Sequence, residues 1–275
     1  MSDAILEAIR AGARTFDLAR PYEVGMPQSP NHPAYWRALP RRHGDRVRED
    51  GGSAANDLIT MGTHVGTHID ALGHVSQEGL LHGGVDAELA QVGGAFPAHG
   101  IHVFGSSVTR GLLLDVPAAL GVDHCEGGYE ITPDDLTAAV ALTGTEPEPG
   151  DVLLVRSGWG RRWEDGPAYV GFETGVPGVG EDGARWLAST APRAVGADTI
   201  AFERLGPGLG HAVLPAHRVL LVEQGVNIIE TLALEEISAA GAREFTLVLA
   251  PLPLVGATGS PVRPLAIIAD PDAIS

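Results

Sequence analysis

Apolar residues recur at two spacings along this chain, and where one gives way to the other the sequence predicts alternating strands and helices. Ile5, Leu6 and Ile9 share a helical face behind a capping residue at Asp3, which predicts a helix over 3–14. Phe16-Asp17-Leu18 then reads as a short strand, and residues 57–63 as another. Arg110-Gly-Leu-Leu-Leu-Asp115-Val116 and Gly150-Asp-Val-Leu-Leu-Val-Arg156 are short apolar runs, the pattern of strands buried in a sheet. Ala194-Val-Gly-Ala197, Val219–Val222, Val226–Ile229 and Phe245–Ala250 complete the predicted strands. Helices are predicted at 85–92, from Thr132 onward, and over Glu181–Ser189 with Trp186 and Leu187 inward. The helix at Thr132 carries three start signals: Thr132 as cap, Pro133 at the first helical position and Asp135 in the first turn. Interleaved strands and helices predict an α/β fold.

Two stretches break the pattern. Pro21 to Pro40 holds five prolines with Tyr22, Tyr35 and Trp36, and is expected to form no regular element. Such a segment serves as a lid or binding loop, or as a surface loop with packed aromatics. Residues 41–56 are polar and contain Gly51-Gly52-Ser53. No repeat, low-complexity tract or linker divides the chain, so residues 1–275 are expected to form a single domain.

Composition narrows the function classes. Hydrophobic residues at 44% and charged residues at 19% suit a buried core and argue against disorder. The 37 glycines and 20 prolines point to many turns around strands rather than to a helix bundle. A formal net charge of −17 disfavours nucleic acid and anionic membranes as partners, since both are polyanionic. A small-molecule substrate is the expected partner. Cys125, the one cysteine, cannot form an intrachain disulfide and suits a reducing cytosol. No basic-then-apolar leader opens the chain, and no run of about 18 apolar residues crosses it. A cytoplasmic protein is therefore expected.

The chemistry concentrates in His64-Val-Gly-Thr-His68-Ile-Asp70-Ala-Leu-Gly-His74. Three of eleven histidines fall in these eleven residues, with a carboxylate among them. Imidazole and carboxylate are the usual ligands of zinc and similar divalent ions. The glycine and β-branched residues between His64 and His68 make a poor helix. A straight strand would hold their α-carbons roughly 13 Å apart, at about 3.3 Å per residue. A bend at Gly66 would bring them together, so the run is expected on an irregular turn after the 57–63 strand. His64, His68 and Asp70 then supply three ligands, and His74 lies near enough to act on water without binding the ion.

The run resembles the signature H-x-G-T-H-x-D-x-P-x-H of the cyclase family of metal-dependent hydrolases, which includes bacterial kynurenine formamidase, isatin hydrolase and trans-dienelactone hydrolase. Further segments resemble that family: Phe16-Asp-Leu-Ala-Arg-Pro21, Gly25-Met-Pro27, Pro30-Asn-His-Pro33, the 110–115 and 150–159 blocks, Pro177-Gly-Val-Gly180, Val195-Gly-Ala-Asp198-Thr199 and Gly259-Ser-Pro-Val-Arg-Pro264. The likeness spans residues 16 to about 268. It implies that His64, His68 and Asp70 are metal ligands, that His74 is the catalytic histidine, and that His217 and Glu230 are distal ligands. It implies one or two divalent ions, zinc or manganese, with Asp70 bridging if there are two. It also implies a mixed β-barrel-like core flanked by helices, and a homodimer or homotetramer in which the N-terminal segment can reach a neighbour's pocket. Leu72 stands where the motif has proline, and 34–56 and 120–175 are longer than in compact formamidases. His211 competes with His217 for the distal role. Glu203 could reach the site, but reads better as a solvated loop carboxylate.

The resemblance implies hydrolysis of a small amide, aryl formamide, lactone or cyclic imide, with His74 moving a proton between water and the leaving group. The alternatives are a metal-dependent cyclase or dehydratase of secondary metabolism, and a metal- or ligand-binding protein without catalysis. No Gly-x-Ser-x-Gly elbow is present, which disfavours a serine hydrolase. Asp123 and Glu126 would raise the thiol pKa of Cys125 and make it a poor nucleophile. Tyr35, Trp36 and Trp159 could line a pocket for a flat substrate, although core packing explains them as well.

Overall fold

The computed structural model describes Leu6 and residues 10–269. Nine strands form one sheet: β1 (Ala13–Asp17), β2 (His68–Asp70), β3 (Ser107–Asp115), β4 (Val152–Arg156), β5 (Ala194–Ala197), β6 (Asn227–Glu230), β7 (Glu244–Leu249), β8 (Gly259–Pro261) and β9 (Leu265–Ala269). Their order is β1-β9-β7-β3-β4-β5-β6-β2-β8. β3 to β6 are parallel, and every other pairing in the sheet is antiparallel. The mixed sheet curls into a half barrel.

The apolar runs work because successive side chains on a strand face opposite ways. Leu112, Leu114, Leu153 and Val155 enter one core, while Leu113, Val152 and Leu154 enter the other. Full burial of each leucine or valine contributes about 1.5–3 kcal/mol, so a strand dressed on both faces is held from both sides. The first face is covered by α1 (Pro133–Ala141), α2 (Glu181–Ser189) and α3 (Pro215–His217), which continues as a π-helix over Arg218–Gln224. The second face packs Phe16, Ile237, Phe245, Leu247 and Ala266. α1 starts where its signals place it. Thr132 Oγ1 accepts from the Asp135 N–H, and an Asp135 oxygen accepts from the Thr132 N–H, closing a capping box.

Several expectations need correction. Val219–Val222 is helical, because a four-residue apolar run carries no period that separates a strand from a buried helix. Gly225, at φ +69°, caps that helix in the left-handed region. The proline-rich segment does contain a regular element: Trp36–Arg41 pairs antiparallel with Asn56–Thr60, and residues 42–55 of the polar stretch form its loop. This hairpin stands outside the main sheet, so the predicted 57–63 strand does not run into the histidines as a sheet strand. Half of the predicted helix over 3–14 lies outside the described residues, and its last two positions, Ala13 and Arg14, are in β1. The short helix at 85–92 shrinks to Ala87–Ala90, capped by Asp86.

Candidate metal centre

The histidine run is half bend and half strand. Residues 63–67 turn, and His68 to Asp70 join the sheet as β2. The bend falls at Gly66, with φ +65°. A Cβ there would lie 2.8 Å from the Tyr22 ring, whose hydroxyl donates to the Thr67 carbonyl at 2.6 Å. Glycine is therefore required twice over at this position. On β2, His68 and Asp70 point the same way, and Ile69 points into the core. The register sets Glu230 directly opposite His68 across β6 and β2. β8 closes the other edge with Gly259 opposite Asp70, where a Cβ would stand 2.6 Å from His64 Cε1. Leu72 lies in the turn that follows. The His74 N–H donates to the Ala71 carbonyl at 3.0 Å, closing a turn whose second position is Leu72.

The side chains converge in a buried cluster. His64 Nδ1 lies 2.6 Å from Asp70 Oδ1, and its Nε2 lies 2.9 Å from Thr258 Oγ1. His68 Nδ1 donates to the Gly66 carbonyl at 2.8 Å, which turns Nε2 toward Asp70 Oδ1 and Glu230 Oε2, each 3.4 Å away. His217 Nε2 lies 3.1 Å from Glu230 Oε1 and 3.7 Å from Asp70 Oδ2. Glu230 Oε1 has the shorter ion-pair approach alone and Asp70 Oδ2 only the longer one, and both oxygens are buried without a hydrogen bond. His74 stacks on His64, with ring centres 3.7 Å apart.

Two overlapping donor groups result, His64–Asp70–His74 and Asp70–His217–Glu230, with Asp70 common to both. His68 adjoins the second through its 3.4 Å approaches to Asp70 and Glu230. Buried carboxylate oxygens without partners are costly, and a cation relieves that cost. Imidazole nitrogens among carboxylate oxygens suit zinc or manganese. The residues therefore fit a divalent ion.

Protonation follows from the same neighbours. Burial alone would lower the pKa of His68, but hydrogen bonding and the charges of Asp70 and Glu230 raise it to about 8. Burial opposes the proton on His217 as well, yet Glu203 and Glu230 hold its pKa well above the usual value. For Asp70 burial works upward, and the surrounding histidines outweigh it and keep the pKa well below the carboxylate range. His74 goes the other way: burial, aided by the other histidines and opposed by Asp70, lowers it to about 3.

The structure brings together all six residues singled out in the sequence, and sets His217 rather than His211 against Asp70 and Glu230. Glu203 needs correction. It is fully buried, and Oε1 accepts from His217 Nδ1 at 2.5 Å and from the His217 N–H at 3.1 Å, while Oε2 accepts from the Ala216 N–H at 3.0 Å. It caps α3 and fixes the tautomer that leaves His217 Nε2 facing the cluster. Its isolated position near β5 gave no signal for this. His32 and Thr258 are additional neighbours. The His32 ring lies 5.2 Å from that of His64 and 6.2 Å from that of His74, and burial followed by the His64 and His68 charges lowers its pKa to about 4. Of the aromatics, Tyr35 and Trp159 are core residues and Trp36 is half exposed on the hairpin. Cys125 is buried and its thiol is pushed up to about 12, first by burial and then by Asp198 and Asp135 rather than by the chain neighbours Asp123 and Glu126.

Known proteins resemble this chain in sequence and in fold. A family model described as "Putative cyclase" matches residues 16–204. A kynurenine formamidase of Geobacillus thermodenitrificans is 30% identical over 216 residues, 78% of this chain and 81% of that protein. An isatin hydrolase of Roseibium aggregatum is 27% identical over 232 residues, 80% of this chain and 77% of that protein. The crystal structure of a novel cyclase superposes with a TM-score of 0.82 at 32% identity, covering 97% of this chain and 93% of the other.

Proposed function

The chain belongs to the putative cyclase family, and from that premise we propose that it is a metal-dependent hydrolase of a small amide, aryl formamide, lactone or cyclic imide. The observation that carries this reading is the pair of buried, unpartnered oxygens, Asp70 Oδ2 and Glu230 Oε1, facing imidazole nitrogens. His64, His68, Asp70, His217 and Glu230 are the proposed ligands of zinc or manganese. Asp70 is shared if two ions are held.

A bound divalent ion supplies a Lewis acid that polarises a carbonyl and acidifies water. The chain's own residues orient and move protons. The Gly66 carbonyl and the Glu203 carboxylate fix the tautomers of His68 and His217 by accepting hydrogen bonds from their Nδ1–H groups. We assign to His74, uncharged at neutral pH, the passage of a proton from the attacking water to the leaving nitrogen or oxygen; with a pKa of about 3 it is a weak base, so the proton passes through it and does not rest there.

A second reading of His74 has its own observation, its grouping with His64 and Asp70 as a cation site. Exchange His74→Ala separates the two. As a proton carrier, its loss leaves metal content unchanged and lowers kcat by about 10²–10⁴. As a ligand, its loss removes one of two equivalents of metal.

Among the described residues no helix is long and apolar enough to cross a membrane. A cytoplasmic setting remains part of the proposal, resting on the lone cysteine. So does a homo-oligomer. The 36–41/56–60 hairpin exposes Trp36, Leu39, Leu58 and Ile59, and a two-stranded hairpin with exposed apolar faces is marginal until something covers it.

A further inference from the structure

Five imidazoles lie in ring contact at the centre, those of His32, His64, His68, His74 and His217. Their hydrogen bonds divide them. His64, His68 and His217 each engage a protein oxygen that turns the other ring nitrogen inward: Thr258 Oγ1, the Gly66 carbonyl and Glu203 Oε1. Histidines that hold a metal are oriented in this way. The rings of His32 and His74 have no hydrogen bond to any other described residue. A polar group left open beside such a cluster takes its partner from outside the chain, as water or ligand.

His32 is nonetheless firmly placed. Pro30 and Pro33 stiffen the chain around it. Its N–H donates to the Ser29 carbonyl at 3.3 Å, and its carbonyl accepts from Gln28 Nε2 at 3.3 Å. The Gly62 N–H donates to the Pro33 carbonyl at 2.9 Å, which docks this turn two residues before His64. Gly62 makes room for it: a Cβ there would lie 3.1 Å from Pro33 Cδ and 3.3 Å from His32 Cβ. The half-buried His32 ring is thereby held 5.2 Å from that of His64 and 6.2 Å from that of His74. Two hydrogen bonds of about 2.7–3.2 Å are long enough to join His32 and His74 to one small oxygen-bearing group across the wider gap. Uncharged at neutral pH, His32 offers that group one N–H.

Resting on the hydrolase reading above, we infer that His32 is a second catalytic histidine, whose ring N–H donates to the oxygen of the carbonyl under attack. The oxygen of water bonds to the carbonyl carbon, its proton passes by way of His74 to the leaving nitrogen or oxygen, and the bond to that atom breaks with its electron pair. Charge gathers meanwhile on the carbonyl oxygen, and a hydrogen bond already aimed at it strengthens as the charge grows. His32 itself neither gains nor loses a proton. Amide, formamide, lactone and imide all yield a carboxylate that keeps this oxygen, so the same N–H holds the product.

The test uses acetate, the simplest analogue of such a product, on the metal-loaded full chain. His32→Phe keeps a ring of similar shape without the N–H. It should weaken acetate binding, read by calorimetry, about tenfold or more, the range of a hydrogen bond to a charged group. His32→Asn and His32→Gln return an amide N–H near the places of Nδ1 and Nε2, and one of them should restore the affinity to within about threefold. Metal content and the thermal melt should match the parent in all three variants. Unchanged affinity in His32→Phe, no acetate binding by the parent, a loss that neither amide restores, or a loss of metal overturns the inference. Turnover of formanilide, isatin and δ-valerolactone is followed in parallel by product mass. The expected acetate pattern without turnover leaves His32 as the oxygen-binding group and sinks the hydrolase reading. Turnover by the parent with acetate affinity untouched in His32→Phe does the reverse.

Discussion

Exchange Glu203→Gln probes how the centre is held. The carboxylate of Glu203 takes three donors, the Ala216 N–H, the His217 N–H and His217 Nδ1–H. Glutamine keeps the shape but presents an NH2 where one oxygen stood, so at least one of the three donors faces another donor. If Nδ1 loses its acceptor, His217 is no longer held in the tautomer that turns Nε2 to the cluster. Loss of such an orienting partner costs about 10–100-fold in metal affinity, which corresponds to about 1.4–2.7 kcal/mol. The unsatisfied buried donor adds about 1–3 kcal/mol of lost stability. The two effects are read separately, by chelator-competition titration of zinc and by denaturant unfolding of the stripped protein. Metal affinity within twofold of the parent would refute the positioning argument, even if stability fell.

Three further outcomes follow from the same geometry. In the stripped protein, the folded pKa of His68 is about 8 against an ordinary 6.5, so its contribution is complete below pH 6.5 and is lost as pH rises through 8. That is about 2 kcal/mol at about 1.36 kcal/mol per unit, and His217 acts in the same direction. His32 and His74, with folded pKa values of about 4 and 3, act oppositely and lose stability as pH falls below 6.5. Unfolding free energy against pH should therefore peak near pH 6–7, and a flat profile from 6.5 to 9 would contradict the assignment. Metal affinity should instead rise with pH to about 8, with proton release measurable in buffers of differing ionisation enthalpy, because the ion displaces those protons. Gly66→Ala puts a side chain at φ +65° and against the Tyr22 ring, and should cost at least about 2 kcal/mol in denaturant unfolding. A loss under about 0.5 kcal/mol would show that the bend can relax.

Much of this was legible in the sequence because its signals are local. The runs at 110–116 and 150–156 needed only their length and composition to read as sheet strands, and α1 carried a complete cap. The cluster was legible from His64, His68, Asp70 and His74 because four donors fall within eleven residues. His217 and Glu230 were reachable only through family resemblance. Three parallel strands, β3 to β5, and the helices between them separate β2 from β6 along the chain, and only the β6–β2 register places Glu230 opposite His68. Glu203 was misread because its partners, the start of α3 and the Nδ1 of His217, are set by tertiary packing. The 219–222 helix was misread because four apolar residues have no period. The hairpin strand at Trp36–Arg41 was hidden by the prolines around it; as an edge strand of a two-stranded unit it tolerates Pro40.

The central claim is a cation site built around Asp70, and the most direct measurement is metal content per chain. Elemental analysis of protein purified without chelator or histidine tag should be run on the parent and on Asp70→Asn, the residue common to both donor groups. The account predicts one or two equivalents of zinc or manganese in the parent and nearly none in the variant, with the variant still folded. Less than about a tenth of an equivalent in the parent after metal is added, or full occupancy in Asp70→Asn, would contradict it: the first means that no ion joins the buried carboxylates, the second that the ion is held without the Asp70 carboxylate.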